Sequence, residues 1–183
     1  HMGFVTLGFF IFDTQGMEGA IVQMISHGFI SGALFLCVGV LYDQMHSREI
    51  DSYGGVANAM PVFSVFLVFF AMSNAGLPGT SGFVGEFLVI LGSFRVNGWY
   101  AAVAGLTLVL GAAYTLWMIK RVVYGEITNE KVKALVDVNG REKLVLGVLA
   151  VCVLGLGICP MPLLAVMHST VENLLQHAAI SKL

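Results

Sequence analysis

Charged residues are missing from four long stretches of this chain. No Asp, Glu, Lys or Arg occurs in residues 19–42, 52–85, 96–119 or 144–171. A helix needs about 20 apolar residues to cross about 30 Å of hydrocarbon, and each of these runs is long enough to supply one. The 183 residues are 57% hydrophobic and 11% charged, whereas a soluble domain is typically about 25% charged. A water-soluble core of this size cannot bury so much apolar side chain. The expected fold is an all-α integral membrane bundle, one membrane domain over residues 1–183. It has about four full spans and a partial first one.

The spans are read at 20–41, 99–119 and 144–166, the last ended by Pro160 and Pro162, since proline disfavours helix in the residue before it. Residues 163–178 mix polar and apolar positions and suit a short helix lying in the membrane interface. Residues 1–12 are apolar from the start but about half the length of a span. His1 and Met2 are either remnants of a tag or the end of a helix begun earlier in a longer protein, and the half-length run favours the second.

Residues 60–94 behave differently. One straight helix of that length would run roughly 50 Å, too long for one crossing and too short for two with a loop. The stretch contains Gly76-Leu77-Pro78-Gly79-Thr80-Ser81-Gly82. Proline removes a backbone donor and glycine favours non-helical angles. The reading is one discontinuous transmembrane helix, broken at Pro78, Gly79 and Gly82; a re-entrant hairpin or a simple kink is the alternative. Irregular backbone in a membrane is tolerated only inside protein or beside water.

Lysine and arginine placement sets the expected orientation. Arg48, Lys120, Arg121, Lys131, Lys133, Arg141 and Lys143 fall on one side, in loops 43–59 and 120–143, and only Arg95 and Lys182 on the other. The first side is read as cytoplasmic, or as matrix in a mitochondrion. Asp13 and Glu18 then belong to an outer loop.

Glu86 is the one acid read within a span. It lies about eight residues before Arg95, roughly 12 Å from the outer surface. A carboxylate at that depth is costly unless protonated, paired or hydrated. Beside a helix break, flanked by Gly82 and Gly85, it suggests a proton or ion site; the alternative is an acid merely bonded to a neighbouring helix. His27 exchanges a proton near neutral pH when exposed, although a lone histidine in a span is also a common packing residue. Gln23, Ser26 and Ser31 share its helix and are suited to hold water or bond across helices. Lys120 ends a span, where snorkelling to the interface explains it; support of a polar axis is the other reading.

Cys37, Cys152 and Cys159 lie in apolar runs without metal or disulfide spacing, so neither a metal nor a disulfide is expected. No phosphate loop, haem or iron–sulfur pattern, or serine-histidine-acid signature is present. The sequence speaks for translocation and not for redox chemistry within the chain.

Two segments carry a resemblance. Ser26-His27-Gly28, Leu34-Phe35, Tyr42 and His46-Ser47-Arg48 form one, and residues 76–87, ending in Gly85-Glu86-Phe87, form the other. Together they resemble the antiporter-like membrane subunits of respiratory complex I, the proton-pumping NADH–quinone oxidoreductase. Glutamate at position 86, where related subunits and Mrp-type antiporters carry lysine, favours the M branch, called chain 4 in mitochondria. The resemblance implies the second half of an inverted-repeat bundle. It implies that Glu86 is the terminal proton-transfer carboxyl, and that His27 and His1 belong to a central hydrophilic axis. NADH, FMN, iron–sulfur clusters and quinone are expected in other subunits, and no cofactor in this chain. The implied partners are other membrane subunits, the N-terminal half of the same subunit and lipids, but no nucleic acid. The implied setting is a bacterial or mitochondrial inner membrane. Rival readings are a subunit of an Mrp-type cation/proton antiporter or membrane-bound hydrogenase, and a non-conducting membrane scaffold.

Overall fold

The computed structural model describes residues 1–127 and 129–180. Among these, nine α-helices and one short 3-10 turn account for the regular structure. In chain order the helices are α1 (Met2–Phe10), α2 (Thr14–Met45), α3 (Val56–Ala59), α4 (Pro61–Asn74), α5 (Ser81–Val96), α6 (Gly98–Val122), α7 (Glu130–Lys133), α8 (Gly140–Ile158) and α9 (Met161–Ile180). Large apolar side chains stand outward on α6 and α8, among them Trp99, Val103, Val109 and Val151. Such a surface suits lipid or another apolar helix and not water. Of these helices, α2 and α6 are each long and apolar enough to cross a membrane unaided. The fold is the all-α membrane bundle expected from the charge-free runs.

Helix α2 is longer than its apolar run implies. Asp13 caps it, its carboxylate accepting from the N–H of Gly16 at 3.0 Å, so the helix starts at Thr14 instead of near residue 20. Glu18, expected in an outer loop, is inside the helix and buried. Its Oε1 lies 2.6 Å from Nδ1 of His168 on α9. The partner on α9, remote in sequence, is what permits an acid within this turn.

The stretch 60–94 is split, as the Pro-Gly segment demands. Helix α4 ends at Asn74 and α5 begins at Ser81. Gly76 and Gly79 hold φ of +80° and +90°, a region in which a Cβ is strained. Within the break the Thr80 hydroxyl donates to the Leu77 carbonyl at 2.7 Å, satisfying one of the freed acceptors. Helix α2 packs along α5 more extensively than any other helix pair. Small residues permit it: a Cβ at Gly85 would lie 2.8 Å from the N and Cα of Gln23.

Two side chains from elsewhere secure the opposite end of α4. Its first turn leaves backbone donors without helical partners. Asp137, in the loop before α8, accepts from the N–H groups of Val62 at 2.9 Å and Phe63 at 3.0 Å. Burial pushes the Asp137 carboxyl upward, but these donors, the Val138 N–H and the Lys143 charge outweigh it and hold it below the usual range. Gln44 at the end of α2 grips the same loop, donating to the Val136 carbonyl at 3.0 Å and accepting from its N–H at 2.8 Å.

The last span also departs from its expected bounds. Pro160 marks a corner of 64° between α8 and α9, and Pro162 sits in the first turn of α9, where proline is tolerated. Pro160 therefore follows the end of α8 at Ile158, as expected, whereas Pro162 lies inside the next helix and ends none. Residues 163–166 belong to α9 and not to the preceding span.

Candidate functional site: a buried carboxyl at the helix break

Glu86 lies in the second turn of α5, just past the break, and is 3% exposed. Its two oxygens face different surroundings. Oε1 lies 3.0 Å from Nδ1 of His1, which precedes α1. Oε2 points to the break, where a Cβ at Gly76 would stand 2.9 Å from it, and it has no hydrogen-bond partner among the described residues. The break thus leaves room for the carboxyl, since any side chain at position 76 would press on it.

Gln23 of α2 completes the cluster. Its Nε2 lies 2.9 Å from Nδ1 of His1 and donates to Oε1 of Glu86 at 3.5 Å. The His1 ring stacks on that of His27 with centroids 5.3 Å apart. His27 continues along α2 to Ser31, whose hydroxyl lies 3.3 Å from Nε2. A row of exchangeable groups therefore runs from Glu86 through His1 and His27 to Ser31, all within the expected spans.

A cavity of about 260 Å³ adjoins Glu86 and His1, bounded further by Asn74, Thr107 and Tyr114. One water needs a cavity of about 10–15 Å³ by the same measure, with polar partners. The space is large enough for several, and the carboxyl, imidazole, amide and hydroxyl groups supply partners. A carboxylate removed from bulk water is costly to ionise unless such groups stand around it. The arrangement can hold a proton on either of two close groups and pass it to water on one side.

The expected site residues are not all brought together. Glu86, His1 and His27 meet. Ser26 faces α5 and shares a hydrogen bond of 2.8 Å with Ser81 at the start of that helix, so it joins the helices beside the break instead of lining the row. Lys120 is exposed at the far end of α6 and borders a surface depression with Asp51, Arg121 and Glu126. The structure does not bring it to the cluster. Pro78 and Gly79 lie in the break, while Gly82 lies in α5, where its bare face meets α4 at Ser73. Asn74, Thr107 and Tyr114 were not foreseen. Asn74 carries a usable signal, since it is an amide at the last residue before a glycine-proline break. Thr107 and Tyr114 carry none.

The transmembrane family described as NADH:quinone oxidoreductase/Mrp antiporter matches residues 1–111. NADH-quinone oxidoreductase subunit M of Rhodobacter capsulatus is 52% identical over 177 residues, covering 97% of this chain and 35% of the relative. NADH-ubiquinone oxidoreductase chain 4 of Marchantia polymorpha is 46% identical, covering 97% and 36%. The chain spans about a third of the length of these relatives. Among solved structures, respiratory complex I from Thermus thermophilus with bound NADH superposes with a TM-score of 0.90 at 30% identity, covering 96% of this chain and 37% of that one. The Mrp complex from Dietzia sp. DQ12-45-1b superposes with a TM-score of 0.82 at 22% identity, over 94% and 40%, which speaks to the fold alone.

Proposed function

Since the chain belongs to the transmembrane family described as NADH:quinone oxidoreductase/Mrp antiporter, we propose that it forms the second half-channel of a proton-translocating membrane subunit of respiratory NADH:quinone oxidoreductase. The observation that carries this reading is the position of Glu86. It is buried at a helix break, 3.0 Å from an imidazole and beside a cavity large enough for water. A structural acid has no need of all three.

In this reading His1 and His27 relay a proton along α2, and Glu86 loads it and releases it through the cavity. The two imidazoles face each other as stacked rings, so the step between them uses water or a ring rotation. The energy comes from quinone reduction in other subunits, where NADH, flavin, clusters and quinone would reside. The partners are those membrane subunits, the remainder of the same subunit and lipid. The charge bias supports a cytoplasmic or matrix position for loops 43–59 and 120–143. Lys182, counted toward the opposite side, lies outside the described residues.

The test is proton uptake by vesicles carrying the whole assembled complex. Glu86→Gln keeps the shape and hydrogen bonding but cannot titrate. It should assemble normally and lose pumping and quinone reduction together, by about tenfold or more, because a coupled machine stalls at a blocked proton step. Glu86→Asp should retain part of both. Normal turnover with normal proton stoichiometry in Glu86→Gln would leave Glu86 as a packing residue.

A further inference from the structure

The amide of Gln23 faces both members of the His1–Glu86 pair with its nitrogen, while its oxygen has no partner among the described residues. Its Nε2 stands 2.9 Å from Nδ1 of His1 and 3.5 Å from Oε1 of Glu86, and those two atoms are 3.0 Å apart. Nδ1 holds either a lone pair or a proton. With a lone pair, it accepts an N–H of Gln23, and the Glu86 carboxylate shares that same N–H at the longer distance. With a proton, it donates to Glu86 and can no longer accept, so the amide N–H keeps only its longer contact to the Glu86 carboxylate. A donor-to-donor clash arises when Glu86 is protonated and turns its O–H toward the amide.

Rotating the carboxamide by half a turn removes the clash, because Oε1 then replaces Nε2 and accepts from whichever group carries the proton. In the present arrangement Gln23 Oε1 is buried and has no partner among the described residues, an arrangement that costs free energy. The space it occupies is provided by Gly85, where a Cβ would lie 2.5 Å from that oxygen. The Gln23 backbone is meanwhile pinned against the same glycine, with its N and Cα each 2.8 Å from such a Cβ. The root of the side chain is fixed, and a turn about its last bond exchanges only the amide oxygen and nitrogen.

We propose that Gln23 is a positioning residue whose carboxamide orientation decides whether the His1–Glu86 pair is held with or without the transferred proton. This rests on the reading of Glu86 as the proton-transfer group. With Nε2 facing the pair, the empty state is favoured: neutral imidazole and carboxylate. With Oε1 facing it, the loaded state is favoured. The titratable groups facing the pair are His27 from α2 and Tyr114 from α6; Asn74 and Thr107 are the neutral polar neighbours.

The test uses the full-length subunit in the assembled complex, with proton pumping followed as a function of pH. Gln23→Met keeps the length and removes both donor and acceptor. The limb at which pumping is lost on acidification should move to higher pH by about one unit, a tenfold change in the ionised fraction. Gln23→Glu keeps the shape but exchanges the donor for a second acid, and should move that limb further in the same direction, since like charges disfavour each other's ionised form. Both variants should assemble. Profiles superimposable on the wild type would overturn the role of Gln23 while leaving Glu86 intact as the proton group. Failure of both variants to assemble would equally overturn it, in favour of packing. Retained pumping in Glu86→Gln would instead refute the underlying reading.

Discussion

The carboxylate of Asp137 accepts a hydrogen bond from the backbone N–H of Phe63 at 3.0 Å, joining the loop before α8 to the first turn of α4. Asp137 thereby does for α4 what a capping residue does from within a helix, although it comes from a distant part of the chain. Asp137→Ala should lower thermal stability by about 1 kcal/mol, as capping losses do. The pH dependence has a defined sign. The folded-state carboxyl is held below its ordinary range, with burial opposed by the N–H donors and Lys143. Its contribution is therefore present above the ordinary aspartate range and fades as pH falls through the depressed value. Melting of both proteins in detergent across acid pH checks this: the two curves should converge at low pH and separate above it.

A second titrating contact ties α9 to α2. Nδ1 of His168 lies 2.6 Å from Glu18, and Nε2 lies 3.3 Å from Glu172. The hydrogen bond to Glu18 and the charge of Glu172 raise the His168 imidazole above its ordinary value, against a smaller effect of burial. A raised histidine stabilises when protonated. Its contribution is full below the unfolded-state value and is lost as pH rises through the folded one. Hydrogen-exchange protection in α9, taken relative to the intrinsic base-catalysed rate, should fall between neutral and mildly alkaline pH, and His168→Gln should remove that step. Protection that is equally pH-independent in both would contradict the contact.

The break is held open by glycine as much as by proline. Gly76 has φ of +80°, and a Cβ there would stand 2.9 Å from Oε2 of Glu86. Gly76→Ala should assemble with a loss of roughly 1 kcal/mol and impair pumping more than stability, because the added methyl displaces the carboxyl. Pro78→Ala, which alters the break without touching Glu86, should impair pumping less. Comparing proton uptake in the two variants checks the order.

Orientation is testable by single cysteines in a background lacking Cys37, Cys152 and Cys159. A cysteine at Glu130 in α7 should be shielded from a membrane-impermeant reagent applied outside. One at Asn97, in the turn between α5 and α6, should react. The reverse pattern would overturn the lysine and arginine reading.

The bundle and its broken helix were legible because the membrane imposes simple rules. Charge-free runs of span length must be helices, and Gly76, Pro78 and Gly79 cannot continue one. Glu86 was legible because a lone acid in such a run has few explanations. The rest depended on partners remote in the chain. Glu18 reads as a loop residue until His168 arrives from α9. Asp137 reads as a solvated acid until α4 presents its N–H groups. Lys120 and Ser26 each match a polar-axis role by residue type alone. Helix rotation places Lys120 at a surface depression and directs Ser26 to Ser81. Local sequence does not encode such rotations.

In the proposed function Glu86 gains and loses a proton during turnover. Reaction-induced infrared difference spectroscopy of the assembled complex reads this directly, through the carboxylic C=O stretch. A deuterium-sensitive band should appear and disappear with quinone reduction and be absent in Glu86→Gln. A difference spectrum in the carboxylic region identical in the wild type and Glu86→Gln would contradict it.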